Sequence, residues 1–201
     1  MPGARLLVAS SNRGKLSEFQ ELARSAGGAI RVDALPGFAA LPAFEESAET
    51  IAENAAGKAM YYSRGTDALV MADDSGLVVP ALGGEPGVRS SRYAGPEGDA
   101  AKNIAKLLGA LAGKTGAERE ARFVCVLALA RSGRVIAVFS GDVAGTILES
   151  SRGSGGFGYD PVFYFSQAGK TFAEMASAEK NKASHRGRAF AKLMSYLEEA
   201  R

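Results

Sequence analysis

Residues 68–77 read ALVMADDSGL, an apolar run that ends in two adjacent carboxylates. The apolar half predicts a buried strand over residues 68–72, and Ser75-Gly76 predicts that this strand ends just after Asp73 and Asp74. Successive strand side chains point to opposite faces, so the two carboxylates converge only if the strand stops there. In an α/β sheet, the carboxyl end of a strand is a favoured ligand location. The stretch therefore predicts a binding site at a strand end.

The segments around this stretch alternate between strand-like and helical patterns. Strands are predicted at residues 6–9, 31–35, 77–82, 121–130, 134–139 and 162–165, and helices at 16–26, 50–64, 99–111 and 184–199. Thr50 and Glu53 have the capping-box spacing that begins a helix. Without a repeat or a low-complexity linker, the pattern favours a single α/β domain over residues 1–201, with a central mixed β-sheet flanked by helices.

Composition excludes several classes of protein. The 201 residues carry a net charge of +2, too little to indicate a nucleic-acid or membrane surface. Cys125 and His185 are the only cysteine and histidine, which excludes a disulfide within the chain and a zinc centre of several such ligands. Because Leu6–Ala9 is too short for a signal-peptide core and no apolar run reaches about eighteen residues, we expect a cytoplasmic protein.

The paired aspartates suggest a divalent metal. Buried carboxylates are costly unless a cation neutralises them, and magnesium commonly binds one or two carboxylates together with waters and substrate phosphates. Glu46 could add another oxygen, and Lys58, on the helix that begins near Thr50, could reach a phosphate. Taken alone, Asp73-Asp74 fits an Asx-turn of solvated acids about equally well, and Glu46 and Lys58 fit solvated surface charges.

The loop SSNRGK, residues 10–15, lies between a predicted strand and a predicted helix. A helix N-terminus offers free backbone N–H groups and a favourable dipole to an anion, and Lys15 adds a positive charge. The loop therefore fits a phosphate site. Equally, Ser11 or Asn12 could simply cap the helix.

Two later stretches could recognise a nucleobase. The turn GGFGYDP, residues 155–161, offers two aromatic rings for stacking, although Phe157 and Tyr159 could instead be core residues and Asp160 an ordinary turn residue. The segment KNKASHR, residues 180–186, places His185 and Arg186 where the last helix starts, so that positive charge there opposes the helix dipole and requires compensation. A solvated basic turn is the alternative, especially for Lys182.

Taken together, these stretches resemble the inosine triphosphate pyrophosphatase family. The resemblance covers essentially the whole chain in order, and it rests on the segments SSNRGK (10–15), EESAETIAENAAGKA (45–59), ADDSGL (72–77), PGVRSSRYAG (86–95), GGFGYDPVF (155–163) and EKNKASHRGRA (179–189). It implies an ITPase-like α/β enzyme, usually a homodimer, that uses Mg²⁺. Such an enzyme hydrolyses inosine, deoxyinosine and xanthosine triphosphates to the monophosphate and pyrophosphate, which clears deaminated purines from the nucleotide pool.

The resemblance also implies roles for individual residues. Asp74 resembles the general base and a metal ligand, with Asp73 and Glu46 supporting the metal. The triphosphate contacts correspond to Ser10, Ser11, Asn12, Arg13, Gly14, Lys15, Lys58 and Ser75. The base and sugar pocket corresponds to Phe157, Gly158, Tyr159, Asp160, Lys180, His185 and Arg186. Glu18 falls where the family often has an acid near the base, and Arg92 matches the arginine of the family's SARY-like segment.

Three positions depart from the family's pattern. Ser11 stands where the family usually has glycine, Arg89 where relatives often have an aromatic residue, and Gly57 lies inside a predicted helix. Two other functions remain open. A non-catalytic nucleotide sensor would have no need for the three acids, and a hydrolase of pyrimidine or methylated nucleotides would not need Lys180, His185 and Arg186.

Overall fold

The computed structural model describes residues 4–27 and 30–199. Its strands are β1 (Ala4–Val8), β2 (Ile30–Ala34), β3 (Leu69–Val78), β4 (Glu120–Arg131), β5 (Arg134–Ile147), β6 (Phe163–Phe165) and β7 (Lys170–Thr171). Its α-helices are α1 (Arg13–Ser25), α2 (Ile51–Ser63), α3 (Ala100–Ala110), α4 (Ser177–Ala183) and α5 (His185–Glu199). None of the helices within these described ranges has the length and hydrophobicity needed to cross a membrane.

The strands are hydrogen-bonded in the order β2-β1-β3-β4-β5-β6-β7. β1 pairs in parallel with β2 and β3, whereas β5 with β6 and β6 with β7 are antiparallel. Only Ser132 and Gly133 connect β4 to its neighbour β5, and so short a connection joins strands antiparallel. Both residues have positive φ, as a type I′ hairpin turn requires. The predicted α/β fold with a mixed sheet is confirmed.

The chain forms two compact units, and β3, β4 and β5 contribute residues to both. The first unit lies within residues 1–74, 125–141 and 185–201, and its strands bury both faces. Leu6, Val8 and Met71 pack with α1 and α5, while the alternate residues Leu7 and Val70 pack with α2. This alternation is what the two-residue period of a strand dictates. The first unit therefore has three layers, helix on sheet on helix.

Helix α2 lies close to the preceding loop because of its glycine. A Cβ on Gly57 would lie 2.7 Å from the Phe44 ring, which also contacts Tyr61 of the same helix. The glycine that looked out of place in a helix thus leaves room for an aromatic side chain. Thr50 caps α2 as predicted, since its hydroxyl oxygen accepts a hydrogen bond from the Glu53 N–H at 3.1 Å.

The second unit lies within residues 75–124 and 142–184. Its core contains the contacting rings of Phe123, Phe163 and Phe172. Arg119 is buried beside this core, and its guanidinium donates to the backbone carbonyls of residues 111, 114, 147 and 148. These four hydrogen bonds satisfy the buried guanidinium. They also link the end of β5 to the segment before β4.

Candidate active site

Asp73 and Asp74 lie inside β3, so the prediction that this strand ends at Ser75-Gly76 is wrong. The strand runs on to Val78, and residues 77–82 do not form a second strand. Extended backbone through Ser75 and Gly76 buries Leu77 and Val79 in a core, which a turn would not achieve. Asp73 therefore shares the face of Met71, and Asp74 the face of Ala72. With Asp73 at 0% and Asp74 at 7% exposure, an Asx-turn of solvated acids is excluded.

Residues 10–12 form a short turn before α1, and residues 13–15, predicted as part of the loop, are the first turn of that helix. The Asn12 side chain accepts a hydrogen bond from the Lys15 N–H at 3.1 Å, and the Asn12 N–H donates to Ser10 Oγ at 3.2 Å. Asn12 is therefore the N-cap, which confirms the capping alternative. No acid lies in the first turn of α1, so the positive end of the helix keeps its attraction for an anion. Ser11 and Arg13 are exposed, and Gly14 is half-buried.

Lys15 extends from α1 to Asp73. Its Nζ lies 2.6 Å from Asp73 Oδ2, and both side chains are largely buried. Burial opposes ionisation of Asp73, but attraction by Lys15, Lys58 and Arg186 outweighs it, so the pKa of Asp73 lies below its ordinary value. Asp73 is thus held as a buried carboxylate by positive charge.

Lys58 of α2 is attracted by three carboxylates, those of Asp73, Glu46 and Asp74. Its Nζ is 2.8 Å from Glu46 Oε1. Burial favours the neutral amine, yet the charges of Asp73, Glu46 and Asp74 hold the pKa of Lys58 above its ordinary value. Neither Glu46 nor Lys58 is an isolated surface charge. We call Lys15, Glu46, Lys58, Asp73 and Asp74 the lysine–carboxylate cluster.

The cluster fits a hard divalent cation in the chemistry of its donors. Carboxylate oxygens are the ligands that magnesium prefers, and one or two of them are enough when substrate phosphates complete the shell. Within residues 4–27 and 30–199, however, no three histidine, cysteine, aspartate or glutamate side chains are grouped so that they could hold a metal ion. The structure therefore does not bring Glu46 together with Asp73 and Asp74 as a three-carboxylate site.

Arg186, in the first turn of α5, forms an ion pair with Glu18 of α1. Burial opposes its charge, whereas Glu18, Cys125 and Asp73 raise the pKa of Arg186 above its ordinary value. Glu18 thus provides the compensation that a cation at a helix N-terminus requires. His185 precedes Arg186 and is also buried.

Lys180 and Asp160 form a buried ion pair in the second unit. Lys180 Nζ lies 2.6 Å from Asp160 Oδ2, with side-chain exposures of 5% and 4%. The same carboxylate oxygen accepts the Phe157 N–H at 2.8 Å, and the Lys180 ammonium lies 4.9 Å from the centre of the Phe157 ring. Lys180 belongs to the separate short helix α4, which the sequence did not predict, and Lys182 on that helix is exposed.

The two aromatic residues of the 155–161 turn have different environments. Tyr159 is buried in the core, and its hydroxyl donates to the Ser90 carbonyl at 2.9 Å. Burial, with a smaller contribution from Tyr93, raises the pKa of Tyr159. Phe157 is only partly buried and sits beside Gly158. The core alternative therefore holds for Tyr159, whereas Phe157 lies outside the buried core.

Several of these pairings were not evident from the sequence. The cap by Asn12 is an exception, because the sequence predicted it as an alternative to a phosphate contact. Ser75 and Arg92 are half-buried, and each has a further interaction within the protein. The Glu18–Arg186 pair joins residues 168 positions apart. The sequence around either residue does not predict that the two side chains meet.

Comparison with known proteins gives one consistent result. The Ham1 family model matches residues 6–196. A dITP/XTP pyrophosphatase of Geobacillus kaustophilus is 50% identical over 194 residues, which cover 96% of this chain and 94% of that protein. Another from Gloeobacter violaceus is 46% identical over 94% of this chain and 92% of its own. The Staphylococcus aureus Ham1 protein superposes with a TM-score of 0.85 at 36% identity, over 98% of this chain and 100% of that one.

Proposed function

The chain belongs to the Ham1 family, and on that premise we propose that it is a nucleoside-triphosphate pyrophosphatase acting on deaminated purine nucleotides. Its substrates are ITP, dITP and XTP, and the products are the nucleoside monophosphate and pyrophosphate. Proteins named dITP/XTP pyrophosphatase align with nearly the whole chain, which supports this assignment. The resemblance to the inosine triphosphate pyrophosphatase family, drawn from six sequence segments, is confirmed.

The lysine–carboxylate cluster is the observation that carries the proposal. It combines cations for a triphosphate with buried carboxylates for a divalent metal and for water activation, and it lies beside the uncompensated N-terminus of α1. A nucleotide sensor gains nothing from buried aspartates at such a place, because carboxylates repel phosphate unless a metal intervenes. The cluster therefore favours hydrolysis over simple binding.

In the proposed mechanism, Lys15 and Lys58 exchange their carboxylate partners for phosphate oxygens. Asp74 takes a proton from the attacking water, the new P–O bond forms at the α-phosphorus, and pyrophosphate leaves with the electron pair of the broken P–O bond. On the resemblance alone, Asp74 and Asp73, with Glu46 in support, are the residues that would hold Mg²⁺, although the described structure does not group the three carboxylates as a metal site. When bound, the ion would neutralise charge on the phosphates. The N–H groups and side chains of residues 10–15, together with Ser75, are proposed phosphate contacts.

Base selection is assigned to hydrogen-bond donors. If His185 and Arg186 donate hydrogen bonds to the six-position of the purine, the carbonyl oxygen of hypoxanthine or xanthine can accept them. The amino group of adenine is itself a donor, so it would leave both side chains unpaired. Phe157, Gly158, Tyr159, Asp160 and Lys180 are proposed on the resemblance as further base and sugar contacts. We also propose, on the resemblance, that residues 1–201 act as one domain, as a cytoplasmic homodimer.

Hydrolysis assays test the function directly. We expect turnover of ITP and XTP to exceed that of ATP and dUTP by at least about 100-fold, with GTP also disfavoured, and we expect EDTA to abolish it. Pyrophosphate rather than orthophosphate should be released. Preferred hydrolysis of dUTP would indicate the alternative hydrolase class. Tight ITP binding without turnover in Mg²⁺ would indicate a sensor.

Replacing Lys58 with methionine tests the exchange of partners within the cluster. Without the Lys58 charge, the carboxylates should bind Mn²⁺ about tenfold more tightly in the absence of nucleotide, because the ammonium no longer competes with the metal for them. A charge within ~4–6 Å shifts the proton affinity of a carboxylate by 1–3 log units, and an effect of similar size is expected for a metal ion. Affinity for a non-hydrolysable ITP analogue should fall. Mn²⁺ binding followed by electron paramagnetic resonance measures the first effect. Lys192→Met is the matched control, since Lys192 is exposed and donates to a backbone carbonyl at residue 140. Unchanged Mn²⁺ affinity in Lys58→Met would refute the exchange.

A further inference from the structure

Gly141 of β5 is buried against the first turn of α5. A Cβ built on it would meet the His185 carbonyl oxygen and the Ala189 nitrogen far inside contact distance, and would lie 3.0 Å from the Arg188 Cβ. The backbone of Gly141 is not in the left-handed region, so a larger residue meets no conformational penalty there. The requirement for glycine at this position comes from space alone.

The two nearest atoms that face Gly141 belong to the backbone at the start of the helix. His185 and Ala189 stand four residues apart, the spacing of the hydrogen bond that closes the first α-helical turn. Further along, Phe190, Leu193 and Met194 hold α5 in the core, and Lys192 Nζ donates to the Ser140 carbonyl at 2.6 Å. Ser184 is extended, with ψ of 159°, and precedes the helix. An added methyl group would therefore displace the first turn rather than the whole helix.

That turn carries His185 and Arg186. Both side chains are buried, and Arg186 is held by Glu18 of α1 while it is also attracted to Asp73. A shift of the turn changes the position of both proposed donors together, because they are consecutive residues on one rigid element.

We infer that Gly141 is a positioning residue for purine recognition: its missing side chain fixes where the first turn of α5 presents His185 and Arg186. The inference rests on the proposed function, in which these two side chains select the base. It assigns selectivity to the backbone packing of β5 against α5 as well as to the groups that touch the purine.

The test compares Gly141→Ala with Gly145→Ala. A Cβ on Gly145, four residues along the same strand, would lie 2.6 Å from both the Phe163 ring and the Tyr164 carbonyl oxygen, so it overpacks a core without meeting α5. In Gly141→Ala we expect the ratio of kcat/KM for ITP to that for ATP to fall about 10- to 100-fold, since a displacement near 1 Å can have that effect. Gly145→Ala should lower the melting temperature comparably and keep the wild-type ratio. Equal ratios in the two variants would overturn the inference.

Glu18→Gln keeps the proposal testable if Gly141→Ala does not fold. It leaves the packing of Gly141 untouched but weakens the hold on Arg186, so the same ratio should fall by about tenfold. A wild-type ratio in Glu18→Gln would show that the placement of Arg186 does not govern selectivity, and the inference would fail. If the wild-type protein itself showed no preference for ITP over ATP, the proposed function would fail instead.

Discussion

Asp74→Asn is expected to lower kcat for ITP by a factor of about 10² to 10⁴, the range that general-base catalysis contributes. Asparagine has nearly the same shape as aspartate, but its amide cannot take a proton from water and is a poor ligand for a hard cation. Asp74 is almost fully buried on β3 and lies within the electrostatic reach of Lys58. Its carboxylate therefore lies where solvent screening is weak.

The control for this change is Asp67→Asn. Asp67 lies just before the same strand, is exposed, and accepts a hydrogen bond from the Ser132 hydroxyl. Its replacement should leave kcat within about twofold of the wild type, in keeping with the small effects of surface substitutions. Steady-state kinetics in saturating Mg²⁺, together with melting temperatures, separate catalysis from folding. If folded Asp74→Asn turned over ITP at the wild-type rate, Asp74 could not be the base.

Local rules predicted the parts of the fold that depend on neighbouring residues. Thr50 caps α2 as predicted, and Asp99, predicted as the first residue of its helix, caps α3 in the same way by accepting the Lys102 N–H at 3.0 Å. Both caps follow from a short polar side chain three residues before the backbone group that it satisfies. The helical periodicity of α5 likewise identified the face that enters the core.

The error at β3 has a long-range cause. Ser75 and Gly76 have low strand propensity, so the local pattern predicts a turn after Asp74. The extended backbone there depends on the burial of Leu77 and Val79 among residues up to nearly a hundred positions away, such as Phe172. Tertiary packing of that kind outweighs local propensity. One consequence is that the carboxylates, expected to converge at a strand end, take opposite faces of the sheet.

The residue types of the candidate site could be predicted, but their partners could not. The resemblance predicts that Lys15, Lys58 and Arg186 contact an anion or a base, and the structure pairs them with Asp73, Glu46 and Glu18. Choice among acids is decided by distance and burial, which only the folded chain supplies. The role proposed for Gly141 could not be predicted either, because the sequence does not show that the first turn of α5 packs against this glycine.

Asp73→Asn is expected to destabilise the protein by about 3–5 kcal/mol at neutral pH, the cost of breaking a buried ion pair by removing one partner. The substitution leaves Lys15 beside a neutral amide and takes away the negative charge that also attracts Lys58 and Arg186.

Asp33→Asn is the matched control. Asp33 also has a lowered pKa, although burial opposes it, because Arg31 and Arg5 donate hydrogen bonds to it. Those arginines are exposed, so solvent screens the pairs and the loss should be much smaller.

The pH dependence of this loss distinguishes the charge of Asp73 from its shape. A carboxyl whose pKa is lower in the folded than in the unfolded state stabilises the protein above its unfolded pKa of about 3.9, and that contribution disappears as the pH falls through the folded pKa. The difference in unfolding free energy between wild type and Asp73→Asn should therefore be largest near neutral pH and shrink below about pH 4. Urea unfolding between neutral and acidic pH, with EDTA present so that no ion replaces the lost charge, measures it. A difference that stayed constant down to pH 2 would mean that Asp73 stabilises the fold by packing and not as the anion that Lys15 and Lys58 hold in place.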